Sequence, residues 1–180
     1  MPLSSVVLFE DETVIRLFPN IRRAWSFKGK QGYIGITGRN DQRVLFATIN
    51  IHTGHRVVTL ERSLRQDGFQ SLLKEVRRVY KQRPVWMLLD NATPHKTSKS
   101  LAVAQQLDIT LIWLPKQCSE LNAMDHLWRS LKADISSNYQ YSNVQAHATA
   151  AMNYVRNLPN KTALLKAGLL SDNFWLKSYL

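Results

Sequence analysis

An α/β layer fold on a mixed five-stranded sheet is what this sequence predicts, and three observations predict it. Up to Gly54 the apolar pattern is that of strands, with glycine-containing turns between them. After it, amphipathic helical stretches alternate with two short, wholly apolar runs, "VWMLL" and "ITLIW". Strands joined by tight turns pair antiparallel, whereas strands separated by helices pair parallel, so one sheet holding both kinds is mixed and flanked by helices.

Residues 5–12, SVVLFEDE, form a short β-rich run ending in acids and read as a buried strand. After a turn at Pro19-Asn20, RRAWSFKG and GRNDQRVLFATINIHTG alternate apolar with polar residues or are rich in Val, Ile and Phe, and read as the second and third strands of an antiparallel meander. Over residues 60–82 the period changes. Leu64, Leu72, Leu73, Val76 and Val79 recur at helical spacing, and Pro84 stops the helix. PVWMLLD is a continuous apolar run of strand length, as in a strand covered on both faces. Thr93 and Pro94 then read as an N-cap and first-turn pair opening a second helix, and ITLIWLP as another buried strand. Leu121, Met124, Trp128, Leu131 and Ile135 mark one face of a third helix. The remainder is helical with a break at NLPNK.

With 180 residues, 44% hydrophobic, 21% charged, and only 7 Gly and 6 Pro, the chain is expected to fold as one domain over 1–180. Twenty-four Lys and Arg against 13 Asp and Glu leave a formal charge of +11, the balance of a protein that meets a polyanion such as DNA. No apolar run approaches the roughly 20 residues of a membrane span, and the N-terminus lacks the basic segment of a secretory signal. A cytoplasmic protein without a membrane partner is expected. The single Cys118 excludes an internal disulfide, and the five histidines lack HExxH spacing, so no zinc site is expected.

Sites in open α/β sheets form beyond the carboxyl ends of strands. Asp90 ends the best-defined buried run and Asp11 ends the first, so the two converge if their strands are neighbours. Asp125 falls at the margin of the third helix's apolar stripe and can reach back toward the sheet. Three such acids suit hard divalent cations. Two cations about 4 Å apart would hold the attacking and leaving oxygens of an in-line phosphoryl displacement. Read singly, each acid also has a structural explanation: Asp11 a strand-end turn, Asp90-Asn91 an Asx-turn, and Asp125 an i+4 pair with Arg129.

The stretches LLDNATPHK and LPKQCSELNAMDHLWRSLK resemble the catalytic domain of the mariner-like superfamily of DDE transposases, particularly its bacterial insertion-sequence branch. Asp90, Asn91, His95, Leu114, Pro115, Ser119, Leu121, Asn122, Trp128, Leu131 and Lys132 stand at matching places, and 34 residues, positions 91–124, separate Asp90 from Asp125. LFEDE followed by RRAWSFKGKQ looks like the family's first motif. The likeness covers about residues 5–137; it departs at Asp125, where the bacterial branch usually has Glu, and at Glu120 and Ala123, where Pro is usual.

The resemblance implies a ribonuclease-H-like fold and a catalytic, metal-binding triad of Asp11, Asp90 and Asp125 with two Mg²⁺ or Mn²⁺ ions. Glu12, Asn91, His95 and Asn122 would be supporting residues, with Asn91 and His95 orienting the second acid or a phosphate. The implied activity is DNA cleavage and strand transfer at mobile-element ends, by a homodimer when two ends are paired, in the bacterial cytoplasm at the nucleoid. No helix-turn-helix module is read in 1–180, so recognition of end sequences is expected from elsewhere, such as a separate chain. A structure-selective nuclease and a catalytically idle basic DNA-binding domain are the alternatives.

Overall fold

A computed structural model describes residues 4–177. Its sheet is mixed and five-stranded, in the order β3-β2-β1-β4-β5. Strands β1 (Val6–Arg16), β2 (Gln42–Asn50) and β3 (Arg56–Glu61) form the antiparallel meander, and β4 (Val85–Leu89) and β5 (Ile109–Trp113) extend it in parallel.

Both faces are covered, which is why the central strands read as apolar runs. Val6, Leu8, Val44, Phe46, Met87 and Leu89 face helix α1 (Gln66–Val79) and helix α2 (Ser98–Gln106). Val7, Phe9, Leu45, Ala47, Ile49 and Leu88 face α3 (Ala123–Asp134), α4 (Val144–Asn157) and α5 (Asn160–Lys166). The period-two alternation of side chains thus sends odd positions of β1 to the α3 side and even positions to the α1 side. No helix among the described residues is long and apolar enough to cross a membrane.

Several elements differ from the sequence reading. Residues 22–29 form no strand: residues 20–33 are exposed throughout, with Trp25, Phe27 and Tyr33 turned to solvent. Glycines at 29, 32, 35 and 38 make an extended strand entropically costly there, and a local alternation cannot supply the neighbour that a strand needs. The third strand is instead β3, which returns after the Gly54 turn. Helix α1 is shorter than 60–82; Leu64 precedes it and Val79 ends it exposed. Thr93 and Pro94 lie in a 3-10 turn, and α2 starts after Thr97, whose Oγ1 accepts from Ser100 N at 3.2 Å. Strand β5 is a half-open edge with only Ile109 buried.

Gly68 lies inside α1, yet a Cβ there would stand 2.5 Å from Phe46 Cε2. Helix propensity favours Gly68→Ala by up to about 1 kcal/mol, but close packing against the fully buried Phe46 opposes it. The expected outcome is a net loss of about 1–3 kcal/mol in urea unfolding; a stabilised Gly68→Ala protein would contradict this packing.

Candidate active site

Strand β1 organises the site. Its parallel pairing with β4 runs from Val6 opposite Val85 to Phe9 opposite Leu88 and then stops, while β1 continues along β2 as far as Arg16. Asp11 and Asp90 each lie two residues beyond the last pair. Asp11 therefore sits within β1, paired with Ala47 of β2, and does not end the strand as the sequence suggested. A strand that loses one neighbour opens a gap beside the β4 terminus, and the two carboxylates border it.

The turn after β4 is held by side chains. Asp90 Oδ1 accepts from Ala92 N at 2.8 Å, the Asx-turn that its sequence allows. Asn91 Nδ2 donates to Leu114 O at 2.5 Å, and its Oδ1 accepts from Lys96 Nζ, so this amide ties the end of β4 to the end of β5. From Leu114 the chain passes through a 3-10 turn at Ser119–Leu121 to Asn122. The Asn122 side chain, 3% exposed, donates from Nδ2 to Glu10 O at 2.8 Å and accepts at Oδ1 from Met124 N at 3.0 Å. It caps α3 and straps that helix to β1, so Asp125, in the first turn of α3, is delivered to the same gap.

Asp11, Asp90 and Asp125 line one cavity of about 390 Å³, together with Asn91, Lys116 and Asn122. Burial pushes the Asp11 carboxyl up to about 8, reinforced by the charges of Glu12, Asp90 and Asp125 and only partly offset by the Glu12 backbone hydrogen bond. Asp90 is held below the ordinary carboxylate range, chiefly by its contact with His95, against the opposing effect of burial. Asp125 makes the i+4 pair with Arg129 at 2.5 Å.

Even positions of β1 point the other way. His95, with a wholly buried side chain, lies below the sheet against Phe69, ring centroids 4.5 Å apart. Its Nδ1 is 3.1 Å from Asp90 Oδ1, and its Nε2 is 3.3 Å from Glu12 Oε2 and 3.5 Å from Glu10 Oε2. Burial lowers the imidazolium's pKa, but Glu10, Asp90 and Glu12 outweigh it and push it to about 11. Burial raises Glu10 well above the usual range despite the His95 charge. Among the described residues, Glu10, Glu12 and His95 are the group that brings three ligand atoms within 4.8 Å of one another; the three aspartates are spread more widely around their cavity.

The family model described as DDE superfamily endonuclease matches residues 6–146. The chain belongs to that family. This DDE-family chain is 26% identical over 140 residues to the "Insertion element IS630 uncharacterized 39 kDa protein" of Shigella sonnei, covering 77% of the chain and 41% of that relative. Its fold matches the catalytic domain of Mos1 mariner transposase with a TM-score of 0.63 at 13% identity, over 91% of this chain and 76% of that one. A Mos1 transposase paired-end complex with the left transposon end gives a TM-score of 0.70 at 13% identity, over 91% and 52%. The fold is thus ribonuclease-H-like, and the DDE-family chain spans about half of that transposase's length and less of the insertion-element protein's.

The seven candidate site residues Asp11, Glu12, Asp90, Asn91, His95, Asn122 and Asp125 lie at or beside this gap, though not all on one side of β1. Asp11, Asp90, Asn91, Asn122 and Asp125 line the cavity, whereas Glu12 and His95 sit on the opposite face. Glu10 was not singled out; acids at positions 10 and 12 share a face by the period-two rule, and that was the available signal. Losing the Asn122 strap removes a helix cap and leaves a buried carbonyl unpaired. Asn122→Ala is expected to cost about 2–4 kcal/mol, and Asn122→Asp, which keeps the cap, about half as much; equal stability of all three proteins in chemical unfolding would show that the strap carries no load.

Proposed function

We propose that this chain is the catalytic part of a DDD-type DNA transposase, in which Asp11, Asp90 and Asp125 hold two divalent cations. What carries the reading is that three carboxylates from separate segments line one cavity in a protein of formal charge +11. Mos1 paired-end complexes have been solved with Mn and with Mg, and we extend that ion choice to this cavity.

The donor set fits. All three groups offer hard oxygen ligands, and burial, reinforced by the charges of Glu12, Asp90 and Asp125, raises Asp11, a cost that a cation relieves. When bound, the ion pair supplies Lewis acidity at the attacking and leaving oxygens and lowers the pKa of the attacking water. The chain's own residues supply position. Asn91 fixes the turn that presents Asp90, His95 holds the Asp90 carboxylate from below, and Asn122 sets the approach of Asp125. Arg129, whose side chain is largely exposed, releases Asp125 to a cation and turns to the DNA backbone. Lys116 borders the cavity and provides a point charge for the scissile phosphate.

Water would cut DNA at the element end, and the freed 3′-hydroxyl would then attack target DNA. Two ends must meet for that transfer, so we assign the active form to a homodimer that pairs them; Mos1 transposase has been solved as a paired-end complex. The surplus of Lys and Arg gives affinity for the phosphate backbone that weakens as salt rises.

The test is cleavage of duplex DNA carrying the element ends. Asp11→Asn, Asp90→Asn and Asp125→Asn are each expected to slow Mg²⁺-dependent cutting about 10³-fold or more, several kcal/mol of transition-state stabilisation, while circular dichroism shows the fold intact. Chelation with EDTA is expected to abolish cutting and added Mn²⁺ to restore it. Unchanged cutting by the Asp90 or Asp125 variant would refute the assignment.

A further inference from the structure

On the face of β1 turned away from the aspartate cavity, Glu10, Glu12 and His95 form a second cluster that the proposed reaction does not use for its ions. The Glu10 and His95 side chains are 0% exposed and that of Glu12 is 11% exposed. Yet both Glu10 carboxylate oxygens, Glu12 Oε2 and His95 Nε2 lack a well-formed hydrogen bond, and only Nδ1 has a close partner, Asp90 Oδ1. Unsatisfied polar atoms this deep are rare in folded proteins and call for an explanation.

The distances supply one. His95 Nε2 stands 3.3 Å from Glu12 Oε2 and 3.5 Å from Glu10 Oε2. A charge-assisted N–H···O contact closes to about 2.7–2.9 Å, so these separations are too long for good hydrogen bonds. Both lie near the edge of a tetrahedron, since ligands at about 2.0–2.2 Å from a central metal stand about 3.3–3.5 Å apart, and all three ligand atoms are within 4.8 Å of one another. The other ring nitrogen, Nδ1, faces Asp90 Oδ1 at 3.1 Å, the outer carboxylate contact that orients a metal-binding histidine.

Ligand chemistry selects the ion. One nitrogen and two oxygen donors suit Zn²⁺ better than Mg²⁺ or Ca²⁺, which take oxygen ligands. The Glu12 side, 11% exposed, would leave a fourth position open to water.

We propose that Glu10, Glu12 and His95 bind one Zn²⁺ ion on the opposite face of β1 from the aspartate cavity, where it fixes His95 and, through it, Asp90. This revises the expectation of no zinc site: the ligands are split between positions 10, 12 and 95, and no local spacing pattern announces them. The inference stands on this cluster alone and does not depend on the transposase reading.

The experiment uses chelator-treated, metal-free protein. In an Asp11→Asn/Asp125→Asn background, which silences the other cavity, calorimetric titration with Zn²⁺ is expected to show about one equivalent bound, and Co²⁺ in its place to give the intense visible absorption of four-coordinate cobalt. Glu12→Gln, an isosteric change at the solvent side of the cluster, is expected to weaken Zn²⁺ binding at least tenfold while keeping the fold. His95→Gln should do the same, and if it fails to fold, Glu12→Gln decides. No Zn²⁺ uptake in the Asp11→Asn/Asp125→Asn background, undiminished affinity after Glu12→Gln, or a doubly protonated His95 in nitrogen NMR of the Zn²⁺-treated protein would overturn the proposal and leave the cluster a buried imidazolium ion pair.

Discussion

Parallel pairing between β1 and β4 brings backbones from residues nearly eighty positions apart to adjacent places in one sheet, and that pairing ends two residues short of a carboxylate on each strand. Had it continued, Asp11 and Asp90 would lie side by side on a closed sheet with no room for a counter-ion. Because it stops, the strands part and the like charges border a cavity that α3 closes from above. The site depends on this one interruption of a hydrogen-bond ladder, flanked by a core tight enough to hold both strands. Phe9 and Leu88, the last pair, are 0% and 4% exposed.

Amides do the alignment. Asn91 joins the ends of β4 and β5, and Asn122 joins β1 to the start of α3, each making one donor and one acceptor contact. Neutral groups are suited to this, since a charged strap beside three aspartates would itself pair with one of them and unbalance the cluster. His95 is the exception, and it works from the opposite face. There Glu10 and Glu12 enclose its Nε2 while Nδ1 reaches Asp90 past the strand edge. Strand alternation separates acids that are neighbours in sequence into two environments, one lining an open cavity and one almost wholly buried.

Much of this was legible in the sequence, and the parts that were not share a cause. The continuous apolar run of β4 and the 3.6-residue periodicity of α1 and α3 are local signals, and they located those elements, though α1 begins at Gln66 and not near Leu60. Asp90 and Asp125 followed from them, and Asp11 from the acidic end of the first run. Pairing is not local. The stretch around Trp25 alternates like a strand but has no partner, whereas RVVTLE of β3 hid behind the Gly54 turn and the helix pattern after it. Adjacency of β1 and β4 stood only as a condition, and the contact of Glu10 with His95 needs that topology and the 3-10 turn at Thr93–His95 besides. No sequence window spans them.

That the three aspartates share metal ions is the claim on which the functional account rests. Anomalous diffraction from crystals grown with Mn²⁺ tests it most directly, because it locates the ions without relying on activity. The account predicts two manganese peaks in the cavity among Asp11, Asp90 and Asp125, with carboxylate oxygens from all three within bonding distance. A well-ordered cavity with no manganese in it, at concentrations that saturate DNA cleavage, would contradict it.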